Sequence, residues 1–305
     1  MQAAQSDRST AKNDGATRPR SPPWDHNLRT PKYLAPKGAC DCHFHFIGPQ
    51  RRYPLIPGHV FSHLDFDDDT IEDWLRMQEA IGLSRGLHVN SMMYGHGYEL
   101  MLHSLTRFPD RLRGVVMPAP DITDGELEIL SKAGVIGARH ADRVSTRLDE
   151  RTLRRTHELG WSQHYLMRGI DTMEAWRKAI FSCPGRFVIE HMGLPPANQG
   201  LNSHEFRFVL ECLDTGRCWI KLSPRFSMQE RLPFADTRPF IEEVVRRAPE
   251  RALWGSDWPH PQYFKPMPND ADLFDMMLDW ASDETTRKKI LVDNPVELFG
   301  FPAVS

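Results

Sequence analysis

Eight short apolar runs alternate with amphipathic helical stretches along most of the chain, and this alternation constrains the fold more than any other feature. The runs span residues 39–46, 85–90, 112–117, 135–139, 162–167, 187–191, 218–222 and 252–256. Strand-length runs separated by helical segments are typical of βαβ units and a parallel sheet. Eight such units in a chain of 305 residues predict an α/β fold of the (β/α)8 TIM-barrel type, which takes about 250 residues. The sequence has no glycine-rich phosphate-binding motif, so an open nucleotide-binding sheet is disfavoured.

The N-terminal extension differs in composition from the rest of the chain. Residues 1–23 combine Ser, Thr, Asn, Gly and Pro with mixed charges and show no apolar periodicity. Such a segment buries too little apolar surface to offset its chain entropy, so we expect a disordered tail. Residues 24–36 carry Trp24 and Tyr33 among prolines and predict an extended arm on the folded body. We therefore expect one barrel domain over residues 24–305.

Charge and hydropathy exclude several classes of function. The formal net charge is −3, from 38 basic and 41 acidic residues, whereas nucleic-acid-binding domains are strongly basic, so we expect no nucleic-acid partner. No apolar run reaches the ~18 residues of a membrane span, and residues 1–20 lack the apolar core of a signal peptide. We therefore expect no membrane association and a cytoplasmic location. The five cysteines are scattered and odd in number, which predicts free thiols.

Reactive side chains fall where the predicted strands end. His43 and His45 lie two residues apart near the end of the first strand, so strict alternation places both on one face and Cys42 on the other. The active site of such a barrel is built at the carboxyl ends of its strands. His191 ends the sixth strand and Asp257 follows the eighth. The candidate catalytic residues are therefore Asp257, His43, His45 and His191.

Three motifs in order identify a family. They are the H-x-H of GACDCHFHFIGP at residues 38–49, the HMG of residues 191–193, and LWGSDWPHP at residues 253–261. In combination they resemble the amidohydrolase superfamily, and most of all its branch of 2-pyrone-4,6-dicarboxylate, sulfomuconolactone and galactarolactone enzymes. The resemblance runs from about residue 24 to the end of the sequence. It implies a (β/α)8 barrel, in agreement with the strand count.

The resemblance also implies a reaction. In the lactonase branch the aspartate after strand eight activates water, and here that residue is Asp257. The histidines, His43, His45 and His191, would surround the carbonyl group under attack. Lactone hydrolysis requires a deprotonated water and groups that stabilise the developing oxyanion, and these side chains supply both. We expect a hydrolase that opens a small carboxylated lactone in the catabolism of aromatic or sugar acids.

Substrate contacts follow from the same resemblance, since guanidinium groups bind carboxylates in a bidentate manner. The candidate substrate-binding residues are Arg139, Tyr165, Arg225, Arg143 and Gln262. Arg143 is displaced from the position of the family's second arginine, and Gln262 stands where the pyrone-dicarboxylate enzymes have asparagine. A lactone with one carboxylate, or with hydroxyl groups that His140, His164 or Gln262 would bind, is therefore as well supported as the dicarboxylate pyrone.

Metal use and alternative functions complete the predictions. Classical superfamily members hold a metal pair with a lysine on strand four, where this chain has Arg139, and this difference disfavours a metal pair. The branch that the chain resembles works without metal and the arginines already supply positive charge, so we expect no metal cofactor. The alternative is one Zn²⁺ or another divalent ion bound by His43, His45, His191 and Asp257. A metal-dependent decarboxylase of the same superfamily is the second enzymatic hypothesis. A non-catalytic barrel that binds an acidic metabolite is the third.

Overall fold

Eight parallel strands form a barrel in which each strand pairs with the next one along the chain. The structure is a computed structural model and describes residues 18–145 and 147–303. The strands are β1 (Cys40–Phe44), β2 (Arg85–Val89), β3 (Leu112–Val116), β4 (Val135–Ala141), β5 (Ser162–Leu166), β6 (Phe187–Ile189), β7 (Cys218–Leu222) and β8 (Ala252–Trp254). The predicted (β/α)8 fold is confirmed, and each strand lies within two residues of its predicted start.

The barrel closes between its first and last strands just past the end of β8. The amide of Asp257 donates to the carbonyl of His43 at 2.8 Å, and the amide of His45 donates to the carbonyl of Trp258, also at 2.8 Å. Phe44 and Trp258 form the parallel bridge between these two bonds. The closure therefore fixes the backbone of Asp257 directly against the backbone of the H-x-H segment.

Helices cover the outside of the barrel. They are α1 (Ile71–Ile81), α2 (Glu99–Arg107), α3 (Asp124–Ala133), α4 (Glu150–Glu158), α5 (Ile170–Ser182), α6 (His204–Asp214), α7 (Arg238–Arg247), α8 (Asp270–Asp275), α9 (Met277–Trp280), α10 (Glu284–Lys288) and α11 (Asn294–Phe299). Helix α1 shows how the sequence sets where a helix begins and ends. Thr70 and Asp73 make a reciprocal capping box at its start, and Gly82 ends it in the left-handed conformation. Ile71, Trp74 and other apolar residues at helical spacing are buried against the barrel.

Two layers of apolar packing lie on either side of the sheet. The larger cluster lies between strands and helices, and it includes Phe44 stacked on Trp74. The smaller cluster takes alternate residues of the strands, such as Leu87 and Val115, and fills the barrel interior. Cys42 belongs to this interior cluster, contrary to the strict alternation expected from the sequence, because the register of β1 shifts between Asp41 and Phe44.

The segment before the barrel is more ordered than the sequence predicted. Residues 1–17 lie outside the described residues, but 18–23, which the sequence assigned to the disordered tail, pack on the barrel. The amide of Ser21 donates to the carbonyl of Asp65, and the amide of Asp65 donates to the carbonyl of Pro19. These backbone bonds give residues 18–23 partners that composition does not reveal.

Two further sequence predictions concern the cysteines and the membrane. All five cysteines lie within the described residues and are unbridged, as expected. No helix in 18–145 or 147–303 combines the length and the apolar character needed to cross a bilayer.

Candidate active site

A polar cavity of about 300 Å³ opens at the carboxyl ends of the strands. It is lined by residues that the sequence analysis singled out, namely His45, Arg139, Arg143, His191, Arg225, Asp257 and Gln262. His43 completes the group, with its ring centroid 4.9 Å from that of His45 and 4.5 Å from that of His191. The structure thus brings the four candidate catalytic residues together at the end of the barrel where such folds place their chemistry.

Asp257 lies at the centre of three imidazoles. Its Oδ1 atom is 3.7 Å from Nε2 of His43, 3.7 Å from Nε2 of His45 and 3.6 Å from Nε2 of His191. Its Oδ2 atom accepts a hydrogen bond from Nη1 of Arg225 at 2.5 Å. One carboxylate oxygen therefore faces the imidazoles, while the other is held by a guanidinium group.

Local backbone conformation aims two of these side chains into the cavity. His191 has φ 49° and Asp257 has φ 64°, in the left-handed region that residues other than glycine rarely adopt. His191 starts a turn in which Met192 and Leu194 also have positive φ, two residues beyond the end of β6. Such conformations cost about 1 to 3 kcal/mol each and cluster at functional sites.

The electrostatic surroundings keep Asp257 ionised. Burial raises the pKa of this carboxyl group, but Arg225 and the neighbouring histidines lower it more, so the pKa lies below its usual value. Burial lowers the pKa of both His45 and His191 to about 4, and lowers that of His43 well below the usual value. At neutral pH the site therefore combines one carboxylate with three neutral imidazoles.

A buried ionic triad lies behind the histidines, and the sequence analysis missed two of its members. Oε2 of Glu190 accepts from Nε of Arg139 at 2.9 Å and lies 2.8 Å from Nη2 of the same guanidinium group, and Oε1 of Glu190 is 3.5 Å from Nζ of Lys221. Burial raises the pKa of Glu190, but the two cations lower it further, so the carboxylate is charged. The sequence does place a lysine in the middle of β7 and a glutamate directly after β6. Because charged residues are buried only when they are paired, these two positions could have predicted a buried ion pair.

The arginines of the cavity differ in how strongly their charge is neutralised. Arg139 is held by Glu190 and also donates to the carbonyl of Asn90. Arg168, a lining residue that the sequence analysis did not name, pairs with Asp142 at 2.6 Å. Arg143 is exposed and lies over the ring of Phe61, with 5.5 Å from its guanidinium carbon to the ring centroid. The cavity therefore carries positive charge beyond what its own carboxylates neutralise, and this charge suits an anionic ligand.

Three residues proposed as substrate contacts lie elsewhere. Tyr165 alternates with the inward-facing His164 on β5, so its ring packs outside the barrel near Trp176. Tyr165 is not among the residues that line the cavity, so the structure does not bring it together with the other candidate substrate contacts. His164 is fully buried beside Glu190, 4.0 Å from Nδ1 to Oε1. Nε2 of His140 is hydrogen-bonded to Oε1 of Gln163, and the His140 side chain lines a neighbouring cavity.

The donor set would also accommodate one divalent metal ion. His43, His45 and Asp257 each offer a ligand atom, and these atoms lie within 4.8 Å of one another. Nε2 of His43 and Nε2 of His45 are 3.3 Å apart, and tetrahedral zinc with Zn–N bonds of about 2.0–2.1 Å separates its ligand atoms by about 3.4 Å. His191 is a further candidate ligand. A bound ion would act as a Lewis acid and lower the pKa of a bound water.

Comparison with known proteins identifies the family. A family model described as amidohydrolase matches residues 40–301. The chain is 33% identical to 4-sulfomuconolactone hydrolase of Rhizobium radiobacter over 88% of this chain and 92% of that protein. It is 29% identical to 2-pyrone-4,6-dicarboxylate hydrolase of Comamonas testosteroni, over 90% and 94%. A crystal structure from Agrobacterium tumefaciens superimposes with a TM-score of 0.80 at 26% identity, covering 90% of this chain and all of that one. The chain belongs to the amidohydrolase family.

Proposed function

We propose that this protein is a hydrolase that opens a small lactone bearing a carboxylate or another anionic substituent. The observation that carries the proposal is the ionised Asp257 among three neutral imidazoles in a cavity lined by arginines. The names of the relatives from Rhizobium radiobacter and Comamonas testosteroni, both lactone hydrolases, support the same reaction class. The substrate would be an intermediate in the breakdown of an aromatic or sugar acid.

Asp257 acts as the general base in this proposal. Its Oδ1 accepts a proton from water while the water oxygen forms a bond to the lactone carbonyl carbon. The imidazoles and guanidinium groups around it stabilise the negative charge that develops on the carbonyl oxygen. The ring C–O bond then breaks, and the proton held by Asp257 passes to the leaving alkoxide. Both products remain in one molecule, a hydroxy acid.

The arginines fix the orientation of the substrate. Arg143 is exposed and Arg168 is part-buried, and both line the same cavity as Asp257 and Arg225. An anionic substituent bound there would hold the lactone carbonyl over Asp257. Because the same guanidinium geometry suits carboxylate and other oxyanions, we propose acidic lactones as a class.

We propose that water is activated by Asp257 directly, without a metal, because two cations already adjoin the candidate ligands. Arg225 donates to Asp257, and Lys221 lies 3.0 Å from Nδ1 of His43. The alternative is a single divalent ion held by His43, His45, His191 and Asp257. Elemental analysis beside a chelation and add-back series distinguishes the two. Turnover that survives with negligible metal supports direct activation, whereas loss and recovery with about one equivalent of zinc assigns these residues as ligands.

The test of the function is a proton-release assay on a panel of carboxylated and sulfonated lactones. We expect turnover by the parent, and a fall in kcat of about 100-fold or more for Asp257→Asn, the range for loss of a general base. Asp110→Asn, an exposed aspartate between α2 and β3, is the matched control and should retain full activity. Carbon dioxide release in place of ring opening would identify the protein as a decarboxylase, and full activity of Asp257→Asn would overturn the assigned role.

A further inference from the structure

Lys221 is a buried lysine that has no role in the catalytic steps proposed above. It lies on β7 inside the barrel, with 1% of its surface exposed. Its Nζ atom is 3.0 Å from Nδ1 of His43 and 3.5 Å from Oε1 of Glu190. Burying an ammonium group is costly unless it is paired and hydrogen-bonded. The contact with one nitrogen of a candidate catalytic histidine therefore indicates that the ammonium group acts on that histidine.

The position of each proton in the H-x-H pair can be worked out from its partners. Nδ1 of His45 lies 2.7 Å from the carbonyl oxygen of Val89, and a carbonyl oxygen only accepts, so Nδ1 carries the hydrogen. An imidazole with its one hydrogen on Nδ1 carries a lone pair on Nε2, so Nε2 of His45 is an acceptor. Nε2 of His43 lies 3.3 Å from that atom, and two lone pairs at this distance would repel. The hydrogen between them therefore belongs to Nε2 of His43.

The other nitrogen of the His43 ring faces Lys221. With its hydrogen on Nε2, the neutral imidazole has a lone pair on Nδ1, and this atom faces Nζ of Lys221. The lysine donates there and also to Glu190, which accepts from Arg139 as well. One continuous set of hydrogen bonds thus runs from Glu190 through Lys221, His43 and His45 to Val89, with every hydrogen assigned.

We propose that Lys221 is a positioning residue that holds His43 as its Nε2–H tautomer and so gives the active site a hydrogen-bond donor beside Asp257. In the free protein this hydrogen faces Nε2 of His45. The Nε2 atom of His43 also lies 3.7 Å from Oδ1 of Asp257, so the carbonyl oxygen of a lactone bound beside Asp257 would accept the hydrogen in place of His45. Glu190 keeps the ammonium group in place. This inference rests on the proposed lactone hydrolysis and adds to it the residue that decides which nitrogen of His43 is protonated.

The arrangement also affects the choice between a metal and a direct base. A metal ion at this site needs the lone pair of Nε2 of His43, and its hydrogen would then have to lie on Nδ1. A lysine that donates to Nδ1 opposes that tautomer. The oxygen of Glu190 is 3.8 Å from Nδ1, so it could accept from Nδ1 once the ammonium group is removed. Lys221 therefore favours the tautomer that serves as a donor over the one that binds a cation.

The experiment is a tautomer measurement by ¹⁵N NMR on histidine-labelled protein, with the His43 signals assigned by their loss in His43→Asn. In the parent we expect the hydrogen of His43 on Nε2. In Lys221→Met we expect it on Nδ1, with kcat lowered about 10- to 100-fold, the range for loss of a group that orients an active-site ligand, and KM unchanged. Lys221→Gln is the control, because it keeps a side-chain N–H donor at this position, and we expect it to preserve the tautomer.

Each outcome decides one proposal. A parent protein with the hydrogen on Nδ1, or a Lys221→Met protein whose His43 tautomer is unchanged, overturns the inference. The spectrum of the parent suffices if Lys221→Met fails to fold. Because the spectrum needs no substrate, a parent that shows the expected tautomer but hydrolyses no lactone would refute the proposed function and leave the role of Lys221 standing. Zinc titration of the two variants gives a second readout, with tighter binding expected for Lys221→Met.

Discussion

Replacing Glu190 with glutamine would leave two buried cations without their counter-charge. Glu190, Arg139 and Lys221 are 0%, 3% and 1% exposed, so water cannot solvate the charges that remain. Removing one partner of a buried ion pair costs about 3 to 5 kcal/mol. Both nitrogens that Arg139 places on Glu190, at 2.9 and 2.8 Å, lose a charged acceptor. The loss is a large share of the roughly 5–15 kcal/mol that stabilises a typical domain.

Urea unfolding followed by circular dichroism measures this loss as a shift of the midpoint at constant slope. Glu128→Gln, which breaks the exposed pair with Lys132 on α3, is the matched control and should leave the midpoint unchanged. Because the pKa of Glu190 is lowered in the folded state, its contribution is present above the unfolded pKa of about 4.3 and is lost as pH falls through the folded value. A loss for Glu190→Gln below about 1 kcal/mol at neutral pH would refute the assignment of a paired, desolvated triad.

Two other predictions concern the loop that carries Asp257. Arg225→Gln removes the guanidinium group that lowers the pKa of Asp257. Burial then raises that pKa, so the acidic limb of the pH profile of kcat/KM should move to higher pH. A limb that does not move would exclude Asp257 as the titrating base. Deleting residues 1–23 removes the Ser21 hydroxyl, which accepts a hydrogen bond from the backbone N–H of Gln262 at 3.0 Å. Because Gln262 lines the cavity, KM should rise. Deleting only residues 1–17 keeps this bond and should leave KM as it is, and equal kinetics for both truncations would show that the bond has no effect on the cavity.

The barrel fold and the residues at the centre of its site could be predicted from the sequence. Parallel strands that are buried on both faces read as continuous apolar runs, so their number and order were visible. Reactive residues stood directly after those runs, and the carboxyl ends of barrel strands converge. His191 and Asp257 could therefore be placed together although 65 intervening residues separate them. Their substrate and catalytic roles remain predictions that the experiments above address.

What the sequence did not show depends on contacts across the barrel. The bulge in β1 changes which face Cys42 occupies. A shift of one residue exchanges the two faces of a strand, and strict alternation along the sequence does not reveal where such a shift occurs. Tyr165 was chosen for its resemblance to a family position, and alternation along β5 places it on the face opposite His164 without showing which of the two faces inward. The partners of Lys221 and Glu190 come from different strands, so their charge was visible in the sequence but their pairing was not.

The closure between the first and last strands has a consequence for synthesis of the chain. The amide of Asp257 donates to the carbonyl of His43, so the candidate site joins a residue that follows the last strand to residues of the first strand. A nascent chain that has completed seven strands holds all three histidines but lacks the carboxylate. Under the mechanism proposed above, turnover begins only once the segment that carries Asp257 has left the ribosome and has docked beside the first strand, so the appearance of activity in a translation reaction would report completion of the fold.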